Sequence, residues 1–214
     1  MPEWEELHKS MTVEEPHERF VVFAEKYLRP GMRILDHGCG KGRHSLYCAR
    51  KGMEVHGVDA SETAIKSLRE RVEKGQLFEL VKVTKSDICE LPYPDAYFDG
   101  LVSVNVVNHG YLVDVKKFFL EMSRVLKPGG FLFILCAPIE FIDDIRLPET
   151  REVEKGTFLD TNLMDGDILH HLFTKDEMKE LLKDYDVIKL ENFRKISEFM
   201  KRDVTRMEVI GRKR

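Results

Sequence analysis

The chain is short of cysteine and shows no pattern in what it has. Cys39, Cys48, Cys89 and Cys136 form no C-x-x-C pair and no regular spacing in 214 residues. That argues against a disulfide framework or a zinc cluster and favours reduced thiols; no metal site is expected. No apolar run reaches the roughly 18 residues that a membrane span requires. The first ten residues, MPEWEELHKS, lack the apolar core of a secretory signal. A cytoplasmic protein without a membrane partner is the expectation. There is no excess of basic charge either: the formal net charge is −4, so the chain as a whole is unlike a nucleic-acid binder. Internal repeats and low-complexity linkers are absent, and the length fits a single domain over 1–214.

What is present is alternation. RILDHG (33–38), EVHGVD (54–59), FELVKVTKSD (78–87), Phe98 to Val104 and GFLFILCAP (130–138) have the character of strands. Between them, RHSLYCARKG (43–52) and SETAIKSLRERVEKG (61–75) are predicted helices. Ser61 is the N-cap of the second, Ala64, Ile65, Leu68 and Val72 are its buried stripe, and Gly75 is its stop. VDVKKFFLEMSRVLKPGG (113–130) is predicted as a helix halted by Pro-Gly-Gly. FTKDEMKELLKDY (173–185) is another, with Thr174 and Glu177 as a capping box. Two closing strands follow at 186–193 and 204–214. The second is basic, which suits a charged edge strand or, less simply, a phosphate contact. Strands alternating with helices predict a doubly wound α/β fold around a mostly parallel sheet, with its ligand site beyond the carboxyl ends of the strands. The periodicity breaks after Pro138, and 139–172 is expected to be an acceptor-side insertion or lid.

The first strand runs into ILDHGCGKGRHS, with three glycines in five residues (Gly38, Gly40, Gly42) before a helix. A strand, a Gly-rich turn and a helix N-terminus bring free N–H groups and the helix dipole to a polar or anionic ligand group. A dinucleotide fingerprint requires a third small residue at position 43, which is Arg43. A nicotinamide oxidoreductase is therefore disfavoured.

ILDHGCGKGRHS resembles the first motif of class I S-adenosylmethionine-dependent methyltransferases. VHGVDAS, KSDICELPYPDAYFD and RVLKPGGFLFI resemble three further segments of that family, in the family's order, over roughly 33–136. HHLFTKDEMKELL and DVIKLENF resemble, more loosely, the end of small-molecule members, including those of the tellurite-resistance type. The resemblance implies a seven-stranded Rossmann-like sheet with its last strand antiparallel. It implies S-adenosyl-L-methionine as cofactor and methyl transfer as the activity. The backbone of Gly38, Cys39 and Gly40 would then lie along the methionine part, and Asp36 would orient its ammonium group. Asp59 would hold the ribose, Ala60 would lie beside the adenine, and Asp87 with the Ile88 N–H would read the adenine edge. Asn105 would lie near the sulfonium. The family usually carries an aliphatic or small residue where His37 stands.

The catalytic residues are not fixed by the resemblance. In-line displacement at a methyl group needs alignment and dryness, and needs a base only if the acceptor must lose a proton. His109 and Tyr111, past the fourth strand, are acceptor-side candidates, and so is His171. Adjacent His170 and His171 point to opposite faces of a strand, so joint metal ligation is not expected. The Cys39 thiol is read as packing. No Pro-Cys or Thr-Cys pair follows a strand end, and no [DNS]PP[YFW] motif follows the fourth strand. A small-molecule acceptor fits the short, acidic chain. RNA or protein acceptors, and a cofactor-binding protein that transfers nothing, remain the alternatives.

Overall fold

The structure is a computed structural model that describes Glu5 and residues 15–145, 150–160, 168–197 and 201–214. Helix α1 (Glu18–Tyr27) precedes β1 (Arg33–His37), α2 (Arg43–Arg50), β2 (Glu54–Asp59), α3 (Glu62–Lys74) and β3 (Val81–Lys85). Then come β4 (Phe98–Val104), α4 (Leu112–Val125), β5 (Leu126–Cys136) and the short α5 (Phe141–Ile145). Strands β6 (Arg151–Glu154), β7 (Thr157–Asp160) and β8 (Ile168–His171) lead to α6 (Lys175–Leu181), β9 (Tyr185–Ile196) and β10 (Asp203–Lys213).

The main sheet has seven strands in the order β3-β2-β1-β4-β5-β10-β9. The first five are parallel, and β10 is antiparallel to both neighbours. The chain moves outward from β1 to β3, then returns to β4 on the other side of β1. Ligand sites of open α/β sheets form at such a switch point, here the carboxyl ends of β1 and β4. Both faces are covered, which is why β1 and β2 are buried almost throughout and the second half of β5 is a continuous apolar run. Phe20, Phe23, Leu46, Ile65 and Leu68 from α1–α3 fill one face with Ile34, Phe133 and Ile210. Phe118, Met122 and Met178 from α4 and α6 fill the other with Leu35, Leu132, Met207 and Val209. Among the described residues no helix is long and apolar enough to cross a membrane.

Several local expectations are corrected. Helix α4 ends at Val125, before the Pro-Gly-Gly, and Leu126 already pairs with Phe98. The carbonyls of Arg124 and Val125 accept from the N–H groups of Ala96 and Tyr97, which turns the chain into the sheet. The proline and glycines instead form an irregularity opposite Phe98–Gly100. Helix α3 stops at Gly75 in a right-handed conformation, and Gln76 takes the left-handed one. Thr174 caps α6 by accepting from the Glu177 N–H, but Glu177 does not close the box; its carboxylate faces His171. Strand β10 is interior, not a charged edge, because Val204, Met207, Val209 and Ile210 are buried between β5 and β9. Strand β9 is the edge.

The stretch after Pro138 is more ordered than its sequence promises. It holds α5 and a three-stranded antiparallel sheet, β6-β7-β8, packed through Phe141, Phe158 and Leu172 on Ala137 and Val204. Residues 146–149 and 161–167 of it lie outside the described residues. Strand β6, of sequence REVE, is too exposed and too short to show a period of two.

Candidate functional site

The site is built where β1 ends. Gly38 and Gly42 both adopt left-handed φ, +68° and +81°. A side-chain carbon on Gly38 would collide with Val106 of the loop after β4, and one on Gly42 would collide with Leu68 of α3. The turn is therefore pressed between the β4 loop and α3. The Arg71 guanidinium of α3 donates to the Lys41 carbonyl at 2.9 Å and ties it down. Leu68 is fully buried and cannot yield. Gly42→Ala is expected to lose about 2 kcal/mol of stability from the strained backbone and the overpacking. Urea unfolding checks this, and a loss within about 0.5 kcal/mol would contradict so tight a contact.

Two carboxylates brace the turn. Asp36 accepts from the Ser45 N–H at 3.0 Å and its hydroxyl at 2.6 Å, both on Oδ2. It thereby caps the first turn of α2 from across the glycines. Burial raises its carboxyl to about 6 against the opposing pull of those bonds. Asp59 accepts from the Gly40 N–H at 2.8 Å on Oδ2 and from the Ser61 N–H at 2.9 Å on Oδ1. Each ionised carboxylate oxygen has two acceptor positions, so Asp59 retains capacity for two further donors. Half-buried Ala60 follows it.

Strand β3 brings in the next wall. The Ser86 N–H donates to the Asp59 carbonyl at 3.1 Å, which sets Asp87 beside the end of β2. Asp87 is exposed and closes an Asx turn onto the Cys89 N–H at 2.9 Å; Ile88 is half-buried against the α4-side core. Across the turn, Asn105 leaves β4 at φ +57°, exposed, with its N–H on the Leu135 carbonyl at 2.8 Å. Asp36, Gly38–Gly40, Asp59, Ala60, Asp87, Ile88 and Asn105 thus border one rim at the carboxyl ends of β1 to β4.

His37 turns away from that rim. It is fully buried, and its Nδ1 lies 3.2 Å from Ser103 Oγ. Burial pushes the ring down to about 4. The Cys39 thiol is buried and held well above its ordinary value by burial, so it packs as a neutral group.

The acceptor-side candidates separate. His109 Nε2 lies 3.0 Å from the Asn105 carbonyl, and its ring meets His170 edge-on at 4.9 Å. Alternation along β8 turns His171 the other way, buried at 1% exposure, with Nδ1 2.8 Å from Thr157 Oγ1 and Phe173 beside it. Of the adjacent pair it is His170, not His171, that shares the side of His109. Tyr111 is exposed at the N-cap of α4. Sequence reasoning missed Glu5. Its carboxylate accepts from the first N–H groups of α3, Glu62 at 2.6 Å and Thr63 at 3.0 Å, beside Ala60. Bonding to Thr63 holds that carboxyl down at about 2.

A switch-point turn rich in glycine, an acid closing β2 and a second acid after β3 define an α/β protein built to hold a nucleoside with a charged tail. Residues 35–134 match the family model described as a methyltransferase domain. The 27-O-demethylrifamycin SV methyltransferase of Amycolatopsis mediterranei is 33% identical over 60% of this chain and 48% of its own length. The demethylmenaquinone methyltransferase of Symbiobacterium thermophilum is 34% identical over 61% of this chain and 51% of its own. A solved methyltransferase structure from Methanosarcina mazei superposes with TM-score 0.75 at 22% identity, covering 93% of this chain and 98% of that one. Over this segment the chain is similar to S-adenosylmethionine-dependent methyltransferases, and its fold is theirs. It spans about half or less of the length of the curated relatives it matches.

Proposed function

We propose that the chain transfers the methyl group of S-adenosylmethionine to a small-molecule acceptor. The observation that carries this is Asp59: two backbone N–H groups fix its carboxylate, and two acceptor positions remain for a pair of neighbouring ribose hydroxyls. Asp36 presents Oδ1, which bears neither of its hydrogen bonds, to the ammonium group. Asp87 and the Ile88 N–H take the adenine edge, and Ala60 lies against the ring. Bound there, the cofactor supplies a methyl group on a positively charged sulfur, a leaving group that needs no acid.

The residues past β4 handle the acceptor. Strand β8 is stitched to that loop by Gly110 N–H to Leu169 O at 3.1 Å and His171 N–H to Asn108 O at 2.7 Å. The small sheet β6-β7-β8 so becomes a cover for the acceptor, shutting out water. His109 and His170 stand nearest to Asn105 and are the bases available if the acceptor must lose a proton; Tyr111 is a further donor at the margin. The net charge of −4 and the acceptors named for the rifamycin and menaquinone enzymes both favour a small molecule. Four free cysteines fit the reducing cytoplasm.

Methyl-labelled cofactor incubated with small hydroxylated, aminated and thiol compounds, with RNA and with protein tests the acceptor class. Label is expected in small molecules; label confined to RNA or protein would overturn the proposal. A second expectation concerns pH. A cation beside Asp36 favours its ionised form, so binding releases the proton that the free carboxyl holds below about 6. Cofactor affinity is expected to level off above pH 6 and to fall by up to about tenfold per unit below it. Asp36→Asn should bind more weakly and flatten this profile; an unchanged profile in the variant would refute the contact.

A further inference from the structure

Arg43 stands where a dinucleotide fingerprint has a small residue, and the cofactor rim makes no use of it. It borders a cavity of about 460 Å³ on the outer face of α2. Helix α2 lines this cavity with Arg43, Leu46, Tyr47 and Arg50, α3 with Arg71, and the segment before α1 with Glu15. The four α2 positions are i, i+3, i+4 and i+7, one face of the helix. Ser45, Cys48 and Ala49, on its other side, are buried. Asp36, Gly38, Gly40, Asp59 and Asp87 do not line the cavity, so it is separate from the cofactor rim.

Arg50 and Arg71 carry the charge of this wall. Arg71 donates one N–H to the Lys41 carbonyl at 2.9 Å, and among the described residues no carboxylate pairs with either side chain. Glu15 is exposed and is the acid among the described lining residues. Glu25 of α1 is directed elsewhere, to the Tyr47 hydroxyl at 3.5 Å and to Lys51 at 3.9 Å. Arg71 enters the cavity beside Lys41, just ahead of α2, and Arg50 is the last residue of that helix. The helix rises about 10 Å between Arg43 and Arg50. Two guanidinium groups entering from opposite ends suit an anion with more than one charged centre, and their planar forks match phosphate oxygens. Buried Leu46 and half-buried Tyr47 form the floor between them.

We propose that this cavity binds a diphosphate, free or esterified to a small body that lies on Leu46 and Tyr47. Arg71 takes the phosphate group nearer the glycine turn and Arg50 the other. The site is distinct from the cofactor's and does not depend on the methyl-transfer proposal.

Pyrophosphate and benzyl diphosphate serve as probes, with inorganic phosphate as the control. They are titrated calorimetrically without divalent cations at fixed ionic strength, on the full chain alone and on the chain saturated with S-adenosylhomocysteine. At least one diphosphate is expected to bind saturably, about tenfold or more tighter than inorganic phosphate, and to do so with S-adenosylhomocysteine present. The tighter of the two probes tells free diphosphate from an ester. Arg50→Met should weaken binding by about tenfold or more while its affinity for S-adenosylhomocysteine is unchanged. Glu15→Gln should tighten binding by up to about fivefold. No saturable binding, undiminished binding by Arg50→Met, weaker binding by Glu15→Gln, or displacement of diphosphate by S-adenosylhomocysteine overturns the inference. Should Arg50→Met not fold, Arg50→Gln is read by the same criteria. A chain that binds diphosphate but not S-adenosylhomocysteine would sink the methyl-transfer proposal and leave this one standing.

Discussion

Asp59→Ala is expected to weaken S-adenosylhomocysteine binding by about 100-fold or more. Hydrogen bonds to a charged group contribute about 1.5–3 kcal/mol each, and two ribose hydroxyls are lost together; about 3 kcal/mol corresponds to 100-fold. The substitution also releases the Gly40 N–H, so the glycine turn loses its brace. Asp59→Asn separates the two effects. Its amide oxygen keeps one backbone bond, and its NH2 group cannot accept from the second hydroxyl, so an intermediate loss is expected. Calorimetry on variants whose circular dichroism matches the wild type measures this. An Asp59→Ala protein that binds within about threefold of wild type would mean that the ribose lies elsewhere.

Acid should weaken the fold well before its surface carboxylates titrate. Burial drives His37 down to about 4 and His17 to about 3, and depresses His44 and His56 as well. Unfolded, each ring protonates near pH 6.5. Between that value and the folded one the unfolded chain binds more protons, so stability falls as pH falls and levels off below the folded value. His37 alone, fully buried, accounts for roughly 3 kcal/mol over the window from 6.5 to 4. Asp36 works the other way: its raised carboxyl gains stability for the fold as pH falls from about 6 toward the unfolded value, a partial offset. Urea unfolding at pH 7, 5.5 and 4.5 should show the decline. His37→Leu should be less acid-sensitive and about 2 kcal/mol more stable than wild type near pH 5. A wild-type profile flat from 7 to 4.5 would contradict this.

The cofactor half of the molecule was legible because its signals are local. The apolar strand before Gly38, the Ser61 cap and the stripe of α3 each sit within a dozen residues, and the structure places those elements as expected. The part after Pro138 is assembled from distant pieces. Strands β6 to β8 are four residues each, too short for a period to emerge. The capping box at Thr174 failed because Glu177 is drawn to His171, a contact across elements. The basic tail of β10 looked like an edge because its partner β9 carries the exposure instead.

The most direct test of the central claim is calorimetric titration of the folded wild-type chain with S-adenosylhomocysteine, with NAD as the comparison. One site of micromolar-class affinity, about −8 kcal/mol, and no heat from NAD is the predicted result. A folded protein that ignores S-adenosylhomocysteine, or that binds NAD in its place, would contradict the account.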